Sequence, residues 1–155
     1  MAATSSVFLN VRNLEKSVEF YEGLGFRVDS ESRDDRGALT YVDLQLGGAE
    51  LSLGQVLSDA DDEYTRWVSG ELGAGVILYF TVPDVDAVHD RARRIRATIE
   101  VPLRDRSYGR AFNLNDPDGY VVCLLTERKA AAKPKAGAAK KRATPRTPSK
   151  KKRRA

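Results

Sequence analysis

The sequence predicts an α+β chain in which paired β-α-β-β-β modules form a curved mixed sheet around a cleft, followed by a disordered tail. Three observations predict it. A strand-then-helix pattern occurs twice, as VFLNVRNLEKSVEFYEGLGFRV from residue 7 and VILYFTVPDVDAVHDRARRI from residue 76. Each is followed by strand, Gly-containing turn and strand, in RGALTYVDLQLGGAELSL and YGRAFNLNDPDGYVVCLL, with the halves offset by about 71 to 73 residues. That period is too long for a solenoid and implies two modules sharing one core. The last 28 residues have a composition that cannot fold.

The elements follow in order. In VFLNV the side chains alternate between two faces, so Phe8 and Asn10 point toward the cleft while Val7, Leu9 and Val11 pack under a helix. Asn13 is the N-cap of that helix. Leu14, Val18 and Tyr21 recur at i, i+4 and i+7 as its buried face, and Gly23 and Gly25 are stop signals. Arg36 and Gly37 mark the turn into the next strands, where Tyr41 faces inward and Val42 packs under the helix. Glu50 lies on the strand of GGAELSL. A short connecting helix is expected from about Asp59 to Val68 and carries Trp67.

In the second module Leu78 packs under the helix and Tyr79 faces the cleft. Asp84 caps the second helix, and Val85, Val88, Ala92 and Ile95 form its buried stripe. Tyr108 and Gly109 lie at the next turn, with Arg110 preceding a strand on which Asn113 faces inward. Asp116-Pro117-Asp118-Gly119 reads as a tight turn, because Pro presets φ and Gly accepts positive φ. An apolar strand follows from Tyr120 to Leu125 and contains Cys123. The expected division is a folded domain over 1–127, with modules at about 5–55 and 74–127, and a tail over 128–155.

Charge divides at the same place. Of the 26 Lys and Arg residues, 13 lie from Arg128 onward, while all 22 Asp and Glu residues precede it, so a body of −9 carries a tail of +13. The tail has no aromatic residue and no Leu, Ile, Val or Met. It cannot bury enough apolar surface to offset the entropy of ordering. Its basic clusters, Lys140, Lys141, Arg142 and Lys150, Lys151, Lys152, Arg153, Arg154, suit sequence-independent, salt-sensitive contact with phosphates. A solubilising or targeting tail with no specific partner, and a tail docked onto the acidic body near Asp59, Asp61, Asp62 and Glu63, are the competing expectations. The tail resembles the Lys-Ala-Pro tails of linker histones in composition alone.

One cysteine excludes an intramolecular disulfide. The N-terminus lacks a basic segment and a long apolar segment, and no apolar run approaches the roughly 20 residues that span a bilayer. A cytoplasmic protein is expected, nucleoid-associated if the tail engages DNA. No Gly-x-Ser-x-Gly, phosphate-binding loop or dinucleotide fingerprint occurs. His89, the single histidine, lies inside the second helix, and a nucleophilic triad would have to use it although it has no apparent partner.

Together NLEKSVEFYEGLGFRV and NDPDGY with its apolar strand resemble the opening and closing motifs of the vicinal oxygen chelate superfamily, which groups glyoxalase I, bleomycin-resistance proteins, fosfomycin-resistance enzymes and extradiol dioxygenases. The resemblance covers about residues 5 to 127. It implies a cleft built from paired modules, often from two chains, and hence a homodimer. In metal-dependent members the cleft holds a divalent ion with His and Glu from the first and last strands of each module. Those places fall near Ser6, near Ile77, at Glu50 and at Cys123. Glu50 alone keeps the residue type, so no metal and no cofactor is expected. The implied function is metal-free binding of a planar or aromatic antibiotic or metabolite. The ligand-binding candidates are Phe8, Asn10, Tyr41, Glu50, Trp67, Tyr79, Arg110, Asn113 and Cys123, and none is assigned a catalytic role. A metal-dependent lyase or dioxygenase, and a nucleoid protein using the body as a dimerisation module, are the alternatives.

Overall fold

The computed structural model describes residues 6–55 and 72–128. The expected helix around Trp67 and the basic tail beyond Arg128 lie outside the described residues. The first module contains β1 (Val7–Val11), α1 (Leu14–Leu24), β2 (Arg27–Arg33), β3 (Leu39–Leu46) and β4 (Ala49–Gln55). The second contains β5 (Ile77–Thr81), α2 (Val85–Arg94), β6 (Thr98–Asp105), β7 (Gly109–Asn115) and β8 (Val121–Glu127). Each makes a four-stranded sheet, ordered β1-β4-β3-β2 and β5-β8-β7-β6. The first and last strands of each module pair in parallel and the others antiparallel. The α+β architecture of paired modules is thus as expected.

Local chemistry sets the helix ends. Asn13 Oδ1 accepts from the Lys16 amide at 2.8 Å, and Asp84 Oδ1 from the Ala87 amide at 3.0 Å. Gly25 ends α1 in the left-handed region at φ 111°, and the Phe26 amide returns to the Tyr21 carbonyl at 3.0 Å. This is the glycine-terminated helix end that lets an apolar residue fold back on the last turn; here the Phe26 ring meets Tyr21 edge-on at 5.2 Å. Gly23 was expected to share the stop but remains inside α1. A Cβ there would lie 2.7 Å from Ile95 Cγ2, so Gly23 makes room for a contact between modules. Ile95 in turn is not part of the buried stripe of α2. It caps the helix and is 37% exposed. Val7, opening an edge strand, is 44% exposed and not packed under α1.

One hydrophobic core runs through both modules, from Leu9, Val11, Leu24 and Leu53 to Phe80, Val88, Phe112 and Leu124. The Phe26 and Phe80 rings meet edge-on at 5.0 Å. The modules therefore join through their helix-covered sides, where apolar stripes on α1 and α2 have the most surface to bury.

The Asp116–Tyr120 turn locks this junction. Asp116 Oδ1 accepts from the Asp118 and Tyr120 amides, both at 2.9 Å, and Oδ2 from the Tyr21 hydroxyl at 3.0 Å. Asp118 accepts from the Arg12 amide at 3.2 Å, from the Arg12 guanidinium at 3.3 Å and from the Ser17 hydroxyl at 3.4 Å. The Tyr120 hydroxyl donates to the Asn10 carbonyl at 3.0 Å. Burial raises the pKa of Asp116 and carries that of Tyr21 well above its ordinary value.

Because the helix-covered sides are joined, neither module of one chain closes over the other's open sheet face. Phe8, Ile77 and Tyr79 stay 48%, 49% and 62% exposed. Within one chain the open face of each sheet is left uncovered.

Candidate functional site

Strand alternation builds two open faces. On the first sheet Leu9, Val42, Leu44, Leu51 and Leu53 fill the core, which turns Phe8, Asn10, Tyr41, Asp43, Glu50 and Ser52 to the other side. The Phe8 ring lies over Gly54, where a Cβ would stand 2.5 Å from the ring edge. It runs nearly parallel to Tyr41, with centroids 6.1 Å apart and planes 17° from one another. Beside this pair is a hydroxyl cluster. Asp43 Oδ1 accepts from the Tyr41 hydroxyl at 2.6 Å and the Ser52 hydroxyl at 2.7 Å, and Oδ2 from the Ser30 hydroxyl at 2.6 Å. Hydrogen bonds to the ionised form hold the Asp43 carboxyl below its ordinary pKa, and the same bond raises that of Tyr41. Glu50 is exposed on this face, opposite Gln45.

On the second sheet, Tyr79, Cys123 and Asn113 form one cross-strand row over β5, β8 and β7. Cys123 is buried in a small cluster with Ala111 and Leu125, separate from the main core. Burial raises its thiol pKa, and the nearby Arg106 guanidinium works against that rise. The face also presents Ile77 at the start of β5.

Among the expected site residues, Phe8, Asn10, Tyr41 and Glu50 share the first open face, and Tyr79, Asn113 and Cys123 share the second. Trp67 lies outside the described residues. Arg110 differs from the expectation. It is the second residue of β7, and its neighbour Ala111 takes the open face. Its guanidinium is gripped by Asp86 of α2, Nε to Oδ2 and Nη2 to Oδ1 both at 2.9 Å, with Asp105 at 3.6 Å. Arg110 therefore faces the helix side and is already paired. Asp43, Ser52, Ser30 and Arg106 went unnoticed in the sequence. The alternation that singled out Tyr41 also marks Asp43 and Ser52, whereas nothing local marks Arg106.

The four places to which the resemblance assigns metal ligands do not form a donor set for a divalent ion. Ser6 precedes β1, Ile77 is a hydrocarbon, Glu50 is on one sheet and Cys123 on the other. His89 is turned against the buried Phe112 ring, edge-on at 5.0 Å, on the helix side. Among the described residues no group of three or more His, Cys, Asp or Glu side chains stands close enough to hold an ion. No described helix is long and apolar enough to cross a membrane.

Comparison with known proteins gives the family. The fold matches TioX from Micromonospora sp. ML1 at 22% identity and a TM-score of 0.64, covering 82% of this chain and 100% of that one. It matches TnmS3, an antibiotic binding protein from Streptomyces sp. CB03234, at 24% identity and 0.56, covering 83% and 99%. It matches a bleomycin-binding protein complexed with bleomycin at 18% identity and 0.57, covering 82% and 100%. At these identities the likeness is one of fold. A comparison with curated protein sequences finds no match. The sequence profile of one family covers residues 4–124, both modules and the turn that joins them, and the chain belongs to that family, the Glyoxalase/Bleomycin resistance protein/Dioxygenase superfamily.

Proposed function

We propose that this chain is a small-molecule-binding protein that holds a planar or aromatic ligand on the open faces of its sheets and releases it unchanged. The observation that carries this reading is the pairing of Phe8 with Tyr41 and the exposure of Tyr79, on faces where superfamily metal ligands give way to Ser6, Ile77 and Cys123. Aromatic side chains left in water on a sheet face offer large, flat apolar area to a ring. Fold neighbours named for antibiotic and bleomycin binding support the same reading. Two copies pairing about a two-fold axis would close both faces at once into clefts. The basic tail over 128–155 then adds non-specific contact with nucleic acid.

A thermal-shift screen of the full chain against planar antibiotics, aromatic metabolites and divalent metals tests it, because a ligand at 100 times its Kd stabilises the native state by about 2.7 kcal/mol. The expected result is a rise in Tm with at least one aromatic compound, diminished in Phe8→Ala and Tyr41→Ala. Purified protein carrying a stoichiometric transition metal that is lost in Glu50→Ala would overturn the reading in favour of a metal-dependent lyase or dioxygenase. An electrophoretic shift of DNA that vanishes in a 1–127 truncation tests the tail.

A further inference from the structure

The hairpin between β6 and β7 turns at Arg106, whose amide donates to the Gly109 carbonyl at 2.7 Å. Gly109 adopts φ 157°, and a Cβ there would collide with the Thr126 carbonyl oxygen of β8. The hairpin tip is thus pressed onto the sheet, and Arg106 is half-buried, with its positive charge felt at the Cys123 thiol. Its Nε atom is shielded from solvent and has no hydrogen-bond partner. Among the described residues no carboxylate lies within ion-pair distance of Arg106, whereas the nearby Arg110 has two. A guanidinium with no carboxylate beside it keeps its charge available to an anionic group. Beside it runs the row Tyr79, Cys123, Asn113, with strands about 4.8 Å apart. A hollow lined by Tyr79, Tyr108, Leu125, Glu127 and Arg128 opens on the same face.

We propose that the open face of the second sheet is selective for aromatic anions: Arg106 donates to a carboxylate, sulfonate or phenolate of the ligand, Asn113 offers a further donor, and Tyr79 and Tyr108 take its ring. The inference rests on the small-molecule-binding reading and names the ligand class of that site. Charge-assisted bonds from guanidinium to carboxylate are among the stronger polar contacts. The neutral amide of the same ring system offers one uncharged carbonyl acceptor and so receives a weaker bond.

The test is calorimetric titration of the full-length protein at neutral pH with 2-naphthoate, 2-naphthamide and 2-naphthylmethylammonium, which share a ring system and differ in charge. Naphthoate is expected to bind about tenfold or more tighter than naphthamide, as one hydrogen bond to a charged group predicts. Arg106→Gln removes that preference, weakening naphthoate more than naphthamide, and Arg106→Lys keeps part of it. Tyr79→Ala, at an exposed position that the fold does not need, weakens both probes and leaves their ratio intact. Equal binding of naphthoate and naphthamide to the native protein overturns the inference and leaves small-molecule binding standing. Preference for the ammonium also overturns it, moving recognition to the Asp43 and Glu50 face. Failure of these probes and of every aromatic compound in the thermal screen removes both readings together.

Discussion

Replacing Asp116 by alanine tests the junction between modules. Asp116 accepts three hydrogen bonds, from the Asp118 amide, the Tyr120 amide and the fully buried Tyr21 hydroxyl. Bonds to a charged acceptor are worth about 1.5 to 3 kcal/mol each. Against their sum stands the cost of burying the carboxylate, visible in its raised pKa. The net loss expected for Asp116→Ala is about 3 kcal/mol, close to what breaking a buried polar network costs, and a large fraction of the 5 to 15 kcal/mol typical of a domain. Tyr21→Phe removes one of the three bonds and should cost about 1.5 kcal/mol. Both substitutions delete the same Tyr21–Asp116 contact, so the double variant should lose about 1 kcal/mol less than the sum of the singles. Urea unfolding with a constant m-value measures all three. A loss under about 1 kcal/mol for Asp116→Ala, or strict additivity with Tyr21→Phe, would refute the view that this turn locks the two halves.

Three further outcomes follow from the same geometry. Gly109→Ala places a methyl group against the Thr126 carbonyl and should lower stability by about 2 kcal/mol or more in the same unfolding assay. The pH dependence of stability should carry two opposite contributions. Asp116, raised when folded, favours the folded state at pH below its unfolded value and loses that contribution as pH rises through its folded value; Asp43, lowered when folded, contributes above its unfolded value of 3.8 and loses that as pH falls through its folded value. Asp116→Asn and Asp43→Asn should each flatten its own limb of the Tm-against-pH curve. The Cys123 thiol, raised by burial, should react with iodoacetamide at pH 8 more slowly than free cysteine and at the free rate once the chain is unfolded, followed by mass spectrometry.

Much of the candidate site was legible because strand parity is local. The alternation in VFLNV and in ILYFT assigned Phe8 and Tyr79 to the open faces, and both stand there. Arg110 escaped the same logic because it was placed ahead of its strand. As the second residue of β7 it alternates to the helix side, where Asp86 from α2 meets it, and no local pattern connects residues 24 positions apart. The glycines of α1 illustrate a different limit. Gly23 and Gly25 read alike as helix stops, yet the role of Gly23 depends on Ile95, a contact formed only when the modules dock. The Asp116–Tyr120 turn was visible as a turn from its Pro and Gly. What it grips, Arg12, Ser17 and Tyr21, lies about a hundred residues away in the chain. Asp43 lay within reach of the same parity as Tyr41, but its hydroxyl partners depend on the pairing of β2 with β3 and of β3 with β4, and Arg106 depends on the fold of a hairpin tip.

The back-to-back joining of the modules leaves each chain with two open sheet faces. Its outward surfaces are unlike, one rich in hydroxyls and carboxylates, the other bearing a thiol, two tyrosines and an unpaired guanidinium. A head-to-tail association of unlike surfaces always leaves one free at either end and continues to grow, whereas a rotation that brings both into register at once stops at a closed ring. If two copies pair as proposed above, a two-fold rotation that engages both surfaces at once gives a finite particle with no surface left over.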